Sequence, residues 1–241
     1  MARKLIEKGA VTIDGVKVRR ASEEIPDGEH NVEIMPIDEQ RYVSRGGLKL
    51  EAALDGFAVS VKDMTALDVG ASTGGFTDCL LQRGAKFVFC VDSGTGQLHP
   101  KLLEDSRVVS IEKTNARAML PATLTSVAPD NIMSQGFDGR VDIAVMDVSF
   151  ISQTCILPAL GGMVKDGGVL ISLIKPQFEV GKAAVGKGGI VKSEKDRKRA
   201  VDTVLRAAAE SGFSSLGVMQ SPVEGGDGNI EYIGYFTKEA K

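Results

Sequence analysis

The sequence predicts a doubly wound α/β protein with a small α+β unit at its N-terminus. From Ser44 onward, short apolar runs alternate with helical stretches, the order that builds a mostly parallel sheet covered by helices. The apolar runs are continuous rather than alternating, which marks strands buried on both faces. A length of 241 residues suits one large domain plus an appendage.

Residues 1–36 read as one compact unit. ARKLIEK is a helix end stopped by Gly9, and AVTIDGVKVRR gives two short strands around an Asp14-Gly15 hairpin turn. Pro26-Asp27-Gly28 marks a second turn before the strand NVEIM. The unit is too short to hold a core alone. Pro36 to Gln40 reads as a linker, so the domains expected are 1–40 and 41–241.

A helix begins after Ser44, with Leu48, Ala52 and Leu54 as its apolar positions. Strands follow at Ala66–Val69, Phe87–Val91, Val108–Ile111, Ile143–Met146, Val169–Ile174, Leu216–Met219 and Ile230–Tyr235. Further helices fall near 75–84, 152–163 and 194–211. Residues 121–140 lack clean periodicity and read as a surface excursion. No internal repeat is visible.

Composition narrows the function classes. The chain is 43% apolar and 25% charged, and its 28 glycines are scattered at turns, which excludes collagen-like and low-complexity chains. No apolar run approaches the roughly 20 residues of a membrane span, and the N-terminus MARKLIEKGA has no apolar signal region. Cys79, Cys90 and Cys155 lack CxxC spacing, which argues for free thiols in a reducing cytoplasm and against a structural zinc site; no metal is expected.

The net charge of −3 hides strong patterning. Residues 1–20 hold six Lys/Arg against two acids, and residues 21–40 hold seven acids and no Lys/Arg. Arg41, Arg45 and Lys49 follow, and residues 182–199 carry seven basic residues against two acids. Most charge runs are solvated faces, but clusters like these also suit phosphate binding. Net charge does not exclude RNA.

The strongest local signal is ALDVGASTGGFTD at 66–78, a strand running through a glycine-rich turn into a helix. Ligands of doubly wound sheets bind at the carboxyl ends of strands, where glycines let the backbone approach. The spacing is not that of a dinucleotide fingerprint. An acid ahead of the first glycine suits S-adenosylmethionine, whose amino-acid end replaces a pyrophosphate, and a helix N-terminus can meet its carboxylate. Candidate cofactor contacts are Asp68, Gly70, Ser72, Thr73, Gly74, Gly75 and Phe76. Asp92, 24 residues after Asp68 and behind the next strand, is placed to accept ribose hydroxyls, and Asn115 to meet the adenine edge or simply to serve a turn.

Two more strand ends carry charge where apolar residues are expected. Asp147 closes DIAVMD, and Lys175 follows six uncharged residues before Pro176 breaks the strand. An edge lysine reaching water is the plain alternative. On neighbouring strands the two form a candidate acid/base or orienting pair.

SRGGLKL (44–50), DVGASTGGFTD (68–78), VDSGTGQL (91–98), EKTNAR (112–117), DVSFIS (147–152), IKPQFE (174–179), GKGGIV (186–191) and SPVEGGDGNIEY (221–232) together resemble the TlyA/hemolysin A family of FtsJ-like RNA 2′-O-ribose methyltransferases. The resemblance implies a Rossmann-like S-adenosylmethionine-dependent methyltransferase domain over 41–241, with a mostly parallel seven-stranded sheet and an antiparallel last strand. It carries the family's Lys-Asp-Lys-Glu tetrad onto Lys49, Asp147, Lys175 and Glu231, with Asp147 also counted among the cofactor contacts. Spacing alone selects neither Lys49 nor Glu231. Ser93 departs from the apolar residue expected after Asp92.

The first 36 residues resemble the second half of the alpha-L (S-four type) RNA-binding domain, which normally has one more helix ahead of this point. The resemblance implies RNA contacts at Arg3, Lys4, Lys8, Arg19 and Arg20, and the later basic clusters add Arg41, Arg45, Lys182 and Lys187 as candidates to hold RNA phosphates. The expected partner is RNA, ribosomal RNA or ribosomal subunits, in the cytoplasm; no membrane is expected and the oligomeric state is left open. The expected reaction places a methyl group on a ribose 2′-hydroxyl, of cytidine by resemblance. Lys175 would remove the hydroxyl proton or aim its oxygen, and Asp147 and Glu231 would fix the two lysines. Competing classes are a membrane-active hemolysin, suggested by the family's name, and a non-catalytic RNA-binding protein.

Overall fold

A computed structural model describes residues 2–7, 9–34, 41–225 and 228–240. The chain divides into two compact units, Met1–Tyr42 and Val43–Lys241. The expected linker Pro36–Gln40 lies outside the described residues.

In the first unit, helix α1 (Ala2–Glu7) precedes a three-stranded antiparallel sheet of β1 (Val11–Ile13), β2 (Val16–Lys17) and β3 (Val32–Ile34), in the order β2-β1-β3. Asp14 and Gly15 both take positive φ, as a two-residue hairpin turn of this hand requires. Leu5, Ala10, Val11 and Val18 form a small core. The Asp14 carboxylate also accepts from the Asn31 backbone N–H at 2.9 Å, which ties the hairpin to the start of β3.

The second unit opens with α2 (Gly46–Gly56) and is built on a seven-stranded sheet. Its strands are β4 (Thr65–Val69), β5 (Phe87–Val91), β6 (Val108–Ile111), β7 (Val141–Met146), β8 (Val164–Ile174), β9 (Phe213–Gln220) and β10 (Tyr232–Lys238), ordered β6-β5-β4-β7-β8-β10-β9. The first five run parallel, and β10 is antiparallel to both β8 and β9, so the last strand is the reversed one. β4 and β5 are buried at every residue, as strands covered on both faces are, and in β4 that burial takes in Thr65 and Asp68. The strand order reverses beside β4, so the carboxyl ends of β4, β5, β7 and β8 open onto one crevice.

The helices follow α2 in order: α3 (Gly75–Gln82), α4 (Pro100–Leu103), α5 (Pro121–Thr125), α6 (Asp130–Met133), α7 (Leu157–Met163), α8 (Pro176–Glu179) and α9 (Glu194–Glu210). α9 is the longest. Ser193 caps its first turn by accepting from the Asp196 N–H, Glu194 and Asp196 complement the dipole there, and Ala200, Val204 and Ala208 form its buried stripe.

Four expectations need correction. The buried face of α2 is Gly47, Lys49, Leu50, Ala53 and Leu54, so Leu48 and Ala52 are only partly covered. A lysine on the inward face hid the apolar period. Residues 121–140 are not a bare excursion, because α5 and α6 place Leu124 and Ile132 in the main core. β8 begins five residues before Val169: a register shift against β7 accommodates the Lys165–Gly168 stretch, which reads as a turn. The last strand starts at Tyr232 rather than Ile230 and runs on to Lys238.

Candidate active site

The turn after β4 forms the floor of the site. Asp68 is fully buried, its Oδ2 accepts from the Thr77 hydroxyl at 2.6 Å, and its Oδ1 has no hydrogen-bond partner among the described residues. Burial raises its pKa to about 7; the Thr77 bond opposes this, and the Asp147 and Asp92 charges add to it. Gly70 has φ +81, and a Cβ there would stand 2.5 Å from the Asp147 carbonyl oxygen, so only glycine lets β4 and β7 end this close together. Asp92, just past β5, accepts from the Ser72 N–H at 2.8 Å and the Gly94 N–H at 2.7 Å, pinning the first turn to the second.

Two clefts share this floor. One, of about 700 Å³, is lined by Asp92, Asn115, Ser93 and Val148 among others. A smaller one, of about 290 Å³, is lined by Asp68, Lys49, Lys175, Thr73, Gly75 and Phe76. Gly70, Ser72, Asp147 and Ser149 border both. Asn115 serves a turn and the cleft at once: its Oδ1 accepts from the Arg117 N–H at 3.1 Å while the residue lines the larger space. Gly74 is the exception among the expected cofactor residues. It borders neither cleft; a Cβ there would meet Leu98 Cδ1 at 2.7 Å, so this glycine lets the turn pack against Leu98 and Leu102.

The four tetrad positions form two ion pairs. Lys175 Nζ, at the tip of β8, lies 2.5 Å from Asp147 Oδ1 at the tip of β7, and donates to Ser149 Oγ at 2.8 Å. Lys49 Nζ, on α2, lies 2.5 Å from Glu231 Oε2, just ahead of β10. Glu231 does not line the cleft. It stands behind Lys49 as its buried partner.

These residues suit the expected cofactor. An acceptor without a partner on a buried carboxylate calls for a donor such as an ammonium group. Gly70 and Gly75 border the clefts because their missing side chains let Asp147, Ser44 and Gly47 pack against the turn, and Asp92 and Asn115 sit in the cleft large enough for a nucleoside.

The expected RNA contacts are more dispersed. Arg45 lines the smaller cleft. Lys182 borders a third cleft of about 440 Å³ with Phe150, Gln177 and Phe178, and Lys187 is exposed on the following turn. Arg3, Lys4, Arg19, Arg20 and Arg41 belong to the first unit, where Arg3 pairs with Glu7 at 2.9 Å; Lys8 lies outside the described residues. In the basic stretch 182–199, Arg197 is taken up by the carbonyls of Val191 and Lys192, and Arg199 pairs with Asp196 at 2.8 Å. Arg197 thereby ties the start of α9 to the preceding loop, while Arg199 is partnered within its own helix.

Several site residues escaped the sequence reading. Phe150 is 92% exposed at φ +65, with its ring 5.3 Å from that of Phe178. Glu179 accepts from Ser152 Oγ at 2.5 Å and the Gln153 N–H at 2.9 Å, tying the loop after Asp147 to the turn after Lys175; burial pushes its pKa up. Ser149 and Thr77 were also passed over. Phe150, Ser149 and Glu179 all stand inside DVSFIS or IKPQFE, so the motifs pointed at them without giving them a task.

The profile of the FtsJ-like methyltransferase family matches residues 42–238. The chain belongs to that family. Within the FtsJ-like methyltransferases it groups with TlyA/hemolysin A proteins. It is 43% identical over 232 residues to the 16S/23S rRNA (cytidine-2′-O)-methyltransferase TlyA of Mycobacterium tuberculosis, a match covering 96% of this chain and 81% of that protein. It is 40% identical to Hemolysin A of Brachyspira hyodysenteriae, covering 98% and 92% of the two chains. A solved Streptococcus thermophilus structure described as a hemolysin superposes with a TM-score of 0.79 at 42% identity, covering 100% of this chain and 82% of that one. The seven-stranded sheet with its reversed last strand is thus the Rossmann-like sheet of the FtsJ-like methyltransferases.

Proposed function

We propose that this protein transfers a methyl group from S-adenosylmethionine to the ribose 2′-hydroxyl of a cytidine in ribosomal RNA, in the cytoplasm. The observation that carries the reading is the pair of lysine–carboxylate couples, Lys175–Asp147 and Lys49–Glu231, whose two lysines line the cleft that Asp68 floors. A relative sharing 43% of its residues bears the name of that activity.

The cofactor, when bound, supplies an electrophilic methyl group on a sulfonium. In this reading Asp68 receives its ammonium, Asp92 its ribose hydroxyls and Asn115 its adenine edge, while Ser72, Thr73, Gly75 and Phe76 shape the turn beneath it. The remaining work is positioning and charge control. Lys175 directs an N–H at the attacking hydroxyl oxygen or takes its proton, and Asp147 and Ser149 hold the lysine head in place. Lys49 adds a second positive charge beside the developing oxyanion, and Glu231 keeps that ammonium in the cleft wall. Only RNA presents a 2′-hydroxyl. The bare ring of Phe150 offers a stacking face for an unpaired base, and Arg45, Lys182 and Lys187 offer charge for phosphates. The first unit, with Arg3, Lys4, Lys8, Arg19, Arg20 and Arg41, is the second RNA contact, as an alpha-L type module over residues 1–40.

The test is methyl transfer to ribosomal RNA and to ribosomal subunits by the purified protein, with 2′-O-methyl mapping by mass spectrometry. A new methylated cytidine ribose that Lys175→Ala abolishes is the expected result. Methylation of a base, or none on any ribosomal substrate, would overturn it. One relative is named a hemolysin, and no helix among the described residues is long and apolar enough to cross a membrane. Lysis of red cells by the purified protein without S-adenosylmethionine would favour that second reading.

A further inference from the structure

We propose that Thr77 is a positioning residue for the amino-acid end of the cofactor: its hydroxyl engages one oxygen of Asp68 and leaves the other for the ligand's ammonium. The inference rests on the reading of this cleft as an S-adenosylmethionine site.

Thr77 stands on α3 and is fully buried, as is Asp68 beneath it on β4. Its Oγ1 lies 2.6 Å from Asp68 Oδ2 and 3.0 Å from Cys90 Sγ, and Cys90 is the register partner of Asp68 on β5. A hydroxyl has one proton to give, and a carboxylate oxygen at this distance takes it. The thiol must then donate to Thr77 in turn. Burial and the neighbouring Asp68 charge push the Cys90 thiol up, so it keeps the proton that this requires. The three side chains form one directed chain, from Cys90 to Thr77 to Asp68, and it ends on Oδ2.

The consequence falls on Oδ1. No described residue donates to it, and leaving a buried carboxylate oxygen unpaired is costly. The charges around it do not help: Asp147 on the β7 tip and Asp92 beyond β5 both repel a second anion. Lys49 and Lys175 line the same cleft, but each is held by its own carboxylate, and Arg45 stands at the cleft wall. Against desolvation and two neighbouring acids, the Thr77 side chain and backbone are what favour the ionised form of Asp68. With the hydroxyl in place Asp68 has a pKa of about 7; without it the carboxyl would stay protonated to higher pH and would offer an ammonium group less. Thr77 thus acts on affinity through Asp68 while touching no part of the ligand itself.

Thr77→Val keeps the shape and removes the hydroxyl; Thr77→Ser keeps the hydroxyl. The assay is calorimetric binding of S-adenosylhomocysteine and of 5′-methylthioadenosine, which lacks the amino-acid group, at several pH values from 6 to 9. Neither ligand turns over, and the ligand's own titration cancels in the ratio of variant to wild type. Thr77→Val is expected to bind S-adenosylhomocysteine roughly tenfold more weakly at pH 7, the size of one hydrogen bond to a charged group, with the ratio approaching one by pH 9. Thr77→Ser should match wild type, and all three proteins should bind 5′-methylthioadenosine alike. Equal affinity of Thr77→Val and wild type for S-adenosylhomocysteine at pH 7 overturns the inference. So does a loss that is the same at every pH and is shared by 5′-methylthioadenosine, which marks simple structural damage. A wild-type protein that binds neither ligand overturns the cofactor reading itself.

Discussion

Removing the carboxylate behind Lys49 separates a structural tie from a part in the chemistry. Lys49 Nζ lies 2.5 Å from Glu231 Oε2, with the two side chains 10% and 2% exposed. Glu231→Leu strands an ammonium in a site built for a pair, and breaking a buried pair from one side costs about 3–5 kcal/mol. In a protein of this size each kcal/mol moves Tm by about 2–4 °C, so the expected fall is roughly 6–20 °C. Lys49→Met combined with Glu231→Leu removes both charges at similar volume and should bring stability back to within about 1–2 kcal/mol of wild type, or above it. Turnover should not follow. If the Lys49 charge faces the attacking oxygen, the double variant remains slower by about 10²-fold or more. Scanning calorimetry and single-turnover methyl transfer on the same preparations give the two numbers. A double variant with wild-type stability and turnover within about threefold of wild type would refute a catalytic role for the pair; an unchanged Tm for Glu231→Leu would refute the buried-charge argument.

Lys175→Ala should lower turnover by about 10²–10⁴-fold with cofactor and RNA binding nearly intact, and arginine should not rescue it, because its planar fork cannot reproduce a lysine head wedged between Asp147 and Ser149; Lys175→Arg within about threefold of wild type would leave only an electrostatic role. Gly70→Val places a side chain on a φ of +81 and against the Asp147 carbonyl, so it should abolish calorimetric cofactor binding while RNA retention on filters is kept; unchanged affinity would remove the turn from the cofactor site. Stability of the ligand-free protein should depend on Asp68. Its pKa is about 7 in the folded chain against 3.8 as the reference, so the folded state holds a proton that the unfolded chain releases. The stabilisation from this group is complete below about pH 3.8 and is lost as pH rises toward 7. Asp68→Asn lacks that loss, and between pH 5 and pH 8 it should gain roughly 3 kcal/mol on wild type in urea unfolding; parallel curves for the two proteins would show that Asp68 titrates normally.

The sheet was legible because β4 and β5 are apolar at nearly every position, which only a doubly covered strand tolerates. Elements that mix roles were misread. Lys49 disguised the inward face of α2, and the Lys165–Gly168 stretch split β8 because a register shift can absorb a turn-like sequence without ending the strand. The strand-tip charges Asp68, Asp92, Asp147 and Lys175 stood out because apolar residues are expected there. Glu231 did not, since it lies in a loop 182 positions from its partner Lys49 and nothing local marks it. Gly74, a glycine inside the strongest motif, borders neither cleft and lets the turn pack against Leu98 and Leu102. Phe150 combines a positive φ with near-complete exposure, and neither follows from its residue type, which favours burial and negative φ.

Charge pairing separates what the fold uses from what it leaves for a ligand. The floor and walls of the two clefts carry the acids Asp68, Asp92 and Asp147, with Glu231 behind them. Asp147 and Glu231 each hold a lysine, and Asp92 is held by two backbone N–H groups. Asp68 Oδ1 and Asp147 Oδ1 are both buried without a hydrogen bond among the described residues, but Asp147 Oδ1 has Lys175 Nζ 2.5 Å away. Asp68 has no ion pair among the described residues, and it is the most deeply buried of the four, at the junction of α3 with the sheet. A fold that pairs three of four acids and leaves the most expensive one half-paired places its binding energy for a cation at that point. The lysines, by contrast, arrive already paired, so what they contribute comes from a fixed position beside the cleft. On this argument Asp68 governs cofactor affinity and the Lys175–Asp147 couple governs rate. Variants at the first should move Kd with little change in single-turnover rate at saturation, and variants at the second should do the opposite.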